Sequence, residues 1–301
     1  MSLSSWLEKW MGLEKRRLDI LTMNRRNLGY IYPGNPRSGF PVADNKLLTK
    51  QILSKIDVPL PETHFVYDSF FSLRSMKSDL NKLADFVVKP AQGSAGGGIL
   101  VIVKRDEHSW ITAGGHPFDE KAMKNHISDI IFGIHSFGMS DQAMVESRVI
   151  QHAEINEIYP SGLADLRVIL HESEPVMAML RIPTHESDGK ANLHQGAIGA
   201  GVDMDTGKII HAVHAGESIT HHIDSDFPLL GFPVSDWSAA IEVAIKVSRA
   251  VPLQYLGVDI ALSENGPVIL EINVRPGIEI QNANLRGLEA ILKAKRNKKH
   301  G

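Results

Sequence analysis

Gly257 to Gly277 reads GVDIALSENGPVILEINVRPG, two alternating apolar runs on either side of an Asn265-Gly266 turn signal. Val258, Ile260 and Leu262 alternate along the first run and Val268, Leu270 and Ile272 along the second, which predicts a β-hairpin with all six on one buried face. A three-residue loop, Glu264 to Gly266 with Gly266 left-handed, pairs Ser263 with Pro267 and sets Asp259 directly across from Glu271. Asn273 falls on that same face. A two-residue Asn265-Gly266 loop would set Asp259 across from Ile272 and send the apolar rows to opposite faces, so the pattern selects the longer loop. Asp259, Glu271 and Asn273 offer oxygen ligands only, a set suited to a hard cation such as Mg²⁺. Magnesium is usually held by one or two carboxylates plus phosphate oxygens, so the hairpin predicts a nucleotide nearby. The same three residues would also suit the solvated face of an ordinary hairpin.

The chain of 301 residues is 43% hydrophobic and 22% charged, with a formal net charge of -3. That composition is globular, and the length allows one large domain or two lobes. The charge balance implies no general affinity for nucleic acid, so an anionic ligand must be met by local cations. With no cysteine, disulfides, thiolate metal sites and cysteine nucleophiles are excluded, and a reducing compartment, the cytoplasm, is the expected location. No apolar run approaches the roughly 18 to 20 residues that span a bilayer, and the start lacks a signal peptide's apolar core.

Residues 4 to 21 predict an amphipathic helix with Trp6, Leu7, Trp10, Leu13, Leu18 and Leu21 near one stripe, packed on the body in preference to a membrane surface. Residues 22 to 45, rich in Gly, Pro, Asn and Arg, read as a connector without regular elements. Helices are expected over about 46–55, 73–84, 119–135, 237–251 and 280–295, and strands near 63–67, 86–90, 99–103, 142–150, 165–171 and 176–183. Asp203 to Gly207 is a hairpin turn signal, Ser235 and Asp236 are the cap before the 237–251 helix, and Trp237 is expected in the core. The basic end, KAKRNKKHG, reads as a solvated tail.

Between the strands 86–90 and 99–103 lies AQGSAGGGI, a glycine loop whose N–H groups can close over phosphate oxygens where a Cβ would hold the chain away. Lys89 stands two residues before it. The lysine comes before the glycines and no helix follows them, so this is neither a P-loop nor a dinucleotide-binding turn. Arg275 stays on the metal face two residues beyond Asn273, and Arg167 and Arg181 stand near the ends of adjacent strands. Three fixed guanidinium groups suit a reaction that gathers anions in its transition state. His211 and His214 point to opposite faces of a strand, with no acid spaced to complete a zinc set, so the histidines are not taken as a metal centre.

These segments in order, FVVKPAQGSAGGGI, AMVESRVI, ADLRVIL, ANLHQGA, GVDIAL and EINVRPG, resemble the ATP-grasp superfamily. ADNKLLTKQIL and NLHQGA carry a narrower likeness to its alpha-L-glutamate ligase branch, which adds glutamate to a ribosomal protein's C-terminus. The resemblance spans about Asp44 to Gly287. It implies an α+β ATP-grasp fold: residues 1–45 a helix and connector, 46–150 an N-terminal lobe with the glycine-loop flap, and 151–301 a C-terminal lobe with the metal hairpin and basic tail. It implies an ATP-dependent carboxylate-amine ligase forming an amide through an acylphosphate. By this resemblance Lys46 and Lys89 reach the nucleotide phosphates and Gly93, Ser94, Gly96, Gly97 and Gly98 cover them. Glu146 and the backbone near Arg148 and Val149 flank adenine. Asp165, with Glu154 as a competitor, meets the ribose, and Asn192 lies at the edge of the nucleotide and metal. Asp259, Glu271 and Asn273 hold two magnesium ions, with manganese an alternative, Arg167, Arg181 and Arg275 are catalytic, and His194 is near substrate.

Relatives usually carry an N-terminal domain that helps to bind the acceptor, whereas here some 45 residues precede Lys46. The acceptor side is therefore expected from the connector, a second copy of the chain or a partner protein. Two other outcomes stay open on the same fold: a nucleotide-binding scaffold without turnover, and an enzyme with a phosphorylated or thioester product.

Overall fold

The computed structural model describes residues 19–93 and 96–300, with backbone alone for 297–300. The expected N-terminal helix, apart from its last three positions, and Ser94 lie outside the described residues. Two antiparallel sheets carry the fold. The smaller holds β1 (Thr63–Tyr67), β2 (Phe86–Pro90), β3 (Leu100–Arg105), β4 (Ser109–Thr112), β5 (Pro117–Asp119) and β6 (Ala143–Glu146), in the order β1-β6-β2-β3-β4-β5. The larger holds β7 (Asp165–His171), β8 (Glu174–Ile182), β9 (Ile198–Val202), β10 (Ile209–His214), β11 (Glu217–Ile219), β12 (Tyr255–Ser263) and β13 (Gly266–Asn273), in the order β11-β10-β9-β8-β7-β12-β13. The principal helices are α1 (Lys46–Leu53), α2 (Glu120–Ile131), α3 (Trp237–Ala250) and α4 (Leu288–His300).

Each sheet buries one face under a helix whose apolar residues recur at helical spacing. Met123, Ile127 and Ile130 of α2 pack on Phe86, Ile102 and Val145 of the small sheet. Ala240, Val243, Ala244 and Val247 of α3 pack on Leu166, Val168, Val258 and Ile260 of the large one. Trp237 is half-buried against that core. Burying each of the larger aliphatic side chains among them, Val, Leu, Ile or Met, contributes about 1.5–3 kcal/mol. Leu53 of α1 lies in the core of the large sheet, so the segment after Lys46 packs with the larger sheet before the chain enters the smaller one.

The hairpin is present, but its register arises differently from the expected loop. Ser263 pairs with Gly266 across Glu264-Asn265, and the register then shifts between Ile260 and Asp259, which restores Asp259 opposite Glu271. Gly266 is left-handed as expected, with φ +101. The extra residue on β13 is Leu270, a bulge that turns Ile269 and Ile272 inward while Val268 and Leu270 stay half-buried. A bulge adds one residue to one strand and so inverts which later side chains face in. The six-residue apolar face is corrected accordingly to Val258, Ile260, Leu262, Ile269 and Ile272.

Three further expectations are revised. The connector forms short helical turns, Met23–Arg26, Asn27–Ile31, Tyr32–Gly34, Arg37–Gly39 and Phe40–Asp44. They are held by tertiary bonds: Asn35 exchanges two hydrogen bonds with the Tyr255 backbone at 2.7 and 2.9 Å, and Arg26 donates to the Pro276 carbonyl at 2.6 Å. The last helix is broken into Ile280–Asn284 and α4, because Leu285 turns left-handed at φ +47 and Gln281 accepts the amides of Leu21 and Leu288 at 2.8 and 2.9 Å. A Cβ at Gly287 would stand 2.1 Å from the Asp19 carbonyl oxygen, so the incoming chain occupies the break. Asp236 caps α3 with a left-handed backbone and no side-chain bond, while the Ser235 hydroxyl donates to Glu154.

Candidate nucleotide and metal site

The two lobes meet at a cavity of about 20 Å³ lined by Lys46, Lys89, Gly93, Gly96, Gly97 and Glu271. Asn45 caps α1 by accepting from the Leu47 and Leu48 amides at 3.0 and 3.1 Å, which starts the helix at Lys46 and aims that residue at the loop. The Lys46 ammonium donates to the Gly93 carbonyl at 2.7 Å and lies 3.7 Å from Glu271. Gly93 has no room for a side chain, since a Cβ would stand 2.2 Å from the Pro90 ring. Gly96 and Gly98 are left-handed, at φ +75 and +74.

Behind this cavity Glu146 is 2% exposed and shared by two ammonium groups, Lys89 at 2.6 Å and Lys50. Lys50 also donates to Thr63 Oγ1 at 2.8 Å, and burial lowers its pKa against the pull of Glu146. Sequence reading passed over Lys50, although its place one helical turn after Lys46, facing the same way, was the available signal. Val149 follows β6 outside any regular element, and the Arg148 guanidinium turns away to Asp85 at 2.9 Å.

On the large sheet four charges alternate without a gap. Arg181 donates to both oxygens of Asp165 at 2.6 and 2.7 Å and to Asp259 at 2.8 Å. Arg167 donates to both oxygens of Asp259 at 2.7 and 2.6 Å, and the Asn273 amide adds a fourth donor at 3.1 Å. Cross-strand register sets this row: Asp259 pairs with Arg167 and Asp165 with Arg181. Asp259 is 1% exposed. Burial alone would raise its carboxyl, and the two guanidinium groups more than reverse that, holding it well below the usual range. Burial pushes Asp165 up to about 6, against Arg181 and with a further push from Asp259.

The expected metal ligands therefore divide. Asp259 is saturated by donors, whereas Glu271 opens to the cavity and Asn273, with its amide nitrogen turned to Asp259, keeps its carbonyl oxygen as an acceptor. An acid and an amide oxygen beside two lysines suit a magnesium ion that completes its shell with phosphate and water. Arg275 lies apart from the charge row, its guanidinium 4.7 Å above the Phe40 ring of the connector. Asn192 caps the turn at Leu193–Gln195 by accepting from the His194 amide at 3.0 Å, and His194 lies 3.9 Å from Glu279. Glu154 sits on the helix Ala153–Ile158, bonded to Ser235. The structure also brings in Lys190, unanticipated from sequence, whose Cδ lies 3.8 Å from the place of a Cβ on Gly96. Among the described residues no histidine, cysteine and acid cluster forms a metal site of another kind, and no helix is long and apolar enough to cross a membrane.

A strand-borne lysine and glycine loop on the smaller sheet face Glu271 on a hairpin of the larger, beside Asp259 held by Arg167 of β7 and Arg181 of β8, the arrangement of an ATP-grasp fold. The chain belongs to the sugar-transfer associated ATP-grasp family, which matches residues 25–297. Among curated proteins it is 24% identical over 249 residues to a probable alpha-L-glutamate ligase of Thioalkalivibrio sulfidiphilus, covering 83% of this chain and 61% of that one. It is 22% identical over 250 residues to the ribosomal protein bS6–L-glutamate ligase of Escherichia coli O139:H28, covering 82% and 61%. The chain thus spans about three-fifths of the length of these relatives. Among solved structures it resembles the D-alanine–D-alanine ligase of Bacillus anthracis complexed with ATP, at 13% identity, 86% and 67% coverage and a TM-score of 0.46.

Proposed function

We propose that this chain is an ATP- and Mg²⁺-dependent carboxylate-amine ligase that forms an amide through an acylphosphate and releases ADP and phosphate. The observation that carries the reading is the convergence of Lys89 and the glycine loop of the smaller-sheet lobe on Lys46 and Glu271 of the larger-sheet lobe around a single cavity. Lys46 and Lys89 would meet the phosphates, and the amides of Gly93, Gly96 and Gly97 would add donors where side chains are excluded. Glu271 and Asn273, with Asp259 behind them, would hold magnesium, which when bound neutralises charge on the transferring phosphoryl group. Arg167 and Arg181 keep Asp259 ionised and fix its position, and as donors at the same place they stabilise an anion developing beside it. Arg275, set by Phe40 of the connector, would face the acceptor.

The test is phosphate release with MgATP across amino acids and small carboxylates, alone and in pairs. Release that needs both a carboxylate and an amine is the expected result; tight binding with no release in any mixture would favour the scaffold. Independently of substrate, MgATP at about 100 times its dissociation constant should stabilise the fold by roughly 2.7 kcal/mol, read as a rise in melting temperature that EDTA removes. An unchanged melt at millimolar MgATP would count against the nucleotide site.

A further inference from the structure

We infer that the segment running from α2 into β6 holds both stems of the glycine loop, with Asp141 and His126 as positioning residues for nucleotide binding; this rests on the nucleotide reading of that loop. The entry stem is Gln92. Its amide donates to both oxygens of Asp141, at 3.1 and 3.0 Å, and the same carboxylate accepts the Gln142 amide at 2.7 Å and the Ser136 hydroxyl. Asp141 is 3% exposed, so these donors stand in for water around a buried charge. The next bond outward continues the frame, since the Ala91 amide donates to the Gln142 carbonyl at 2.9 Å.

The exit stem is Gly98. His126 Nε2 lies 3.0 Å from its carbonyl oxygen, and because a carbonyl only accepts, that ring nitrogen carries the hydrogen. Burial lowers the His126 pKa, which favours the neutral ring in this bond. His135 closes the other side: a Cβ on Gly98 would stand 2.6 Å from His135 Cδ2. Gly98 is thus confined by two rings from one segment of the small lobe.

Both stems are therefore fixed to the same segment, while the glycines between them line the cavity with Lys46, Lys89 and Glu271. Glycine lowers the barrier to many backbone conformations, so a loop with loose stems would spread its amides over many places. Holding Gln92 and Gly98 reduces the ordering entropy that a phosphate must otherwise supply on binding. Asp141 and His126 touch neither the metal hairpin nor the arginine row, and they act through the loop.

The experiment is titration calorimetry of the full chain with a non-hydrolysable ATP analogue plus Mg²⁺, with amide exchange read at Gln92 and at 96–98. Asp141→Ala and His126→Phe should each weaken binding about tenfold or more, as expected for loss of a buried or charge-assisted hydrogen bond. Exchange at those amides should rise while the rest of the small lobe keeps its protection. Asp141→Asn keeps an acceptor for the Gln92 amide and His126→Gln keeps a donor for the Gly98 carbonyl, so both should recover most of the affinity. If Asp141→Ala does not fold, the two His126 variants carry the comparison. Wild-type affinity in folded Asp141→Ala or His126→Phe, or lost affinity with unchanged exchange at the stems, would overturn the positioning role. Failure of the wild-type chain to bind the analogue would instead overturn the nucleotide reading itself.

Discussion

Asp259→Ala is expected to lower the free energy of unfolding by about 3–5 kcal/mol, because it leaves two guanidinium groups in a closed site without their shared acid. Arg167 and Arg181 are each 12% exposed in their side chains, and between them they place three N–H groups on Asp259. Arg181 retains Asp165, whereas Arg167 directs both its Nε–H and its Nη2–H to Asp259, so the heavier penalty falls on Arg167. Asp259→Asn, which keeps one acceptor oxygen and removes the charge, should fall between alanine and wild type. Denaturant unfolding measures the difference. A loss below about 1 kcal/mol for Asp259→Ala would mean that the charge row relaxes freely and that Asp259 is no structural element.

Glu271→Ala should do the reverse, removing about 100-fold or more of the turnover while changing stability by less than about 1 kcal/mol. Its side chain is 35% exposed, it lines the cavity, and it pairs with Lys46 at 3.7 Å. Little packing is lost when it is cut back, but the metal loses a ligand and Lys46 its partner. The neighbouring Ile272→Asp is the control: Ile272 is 2% exposed within the large core, so an acid there should unfold the chain. Phosphate release and thermal melts on the two variants decide between the faces of β13. If Ile272→Asp is tolerated and Glu271→Ala unfolds, the bulge at Leu270 has been placed on the wrong side.

The paired outcome bears on how the site came to be legible. Asp259 and Glu271 do face each other, but the loop argument that led there depended on an unbroken ladder, and the ladder is broken at Leu270. Alternation cannot reveal a bulge inside an unbroken apolar run, since Val268, Ile269 and Leu270 each fit either face. The break in the last helix was hidden for a similar reason. Residues 280–295 carry good helical spacing, and what interrupts them is the backbone of Asp19 to Leu21, more than 250 positions away. Arg167 and Arg181 lie on adjacent strands, yet their commitment to Asp259 required the pairing of β7 with β12 and of β7 with β8.

What the sequence determined by itself is the set of chemical parts: an oxygen-only acid and amide set on a hairpin, a glycine loop after Lys89, three arginines in order, and a family resemblance that the match over residues 25–297 bears out. These are local or nearly local patterns, carried by residue type and spacing, and they survive without knowledge of which strand lies beside which. Only the tertiary structure decided that Asp259 is filled by two guanidinium groups while Glu271 opens to the lysines, and that Asp141 and His126 hold the loop by its stems. The physical reason is that a buried charge takes its character from the donors packed against it, and here those donors come from strands and helices far apart in the chain.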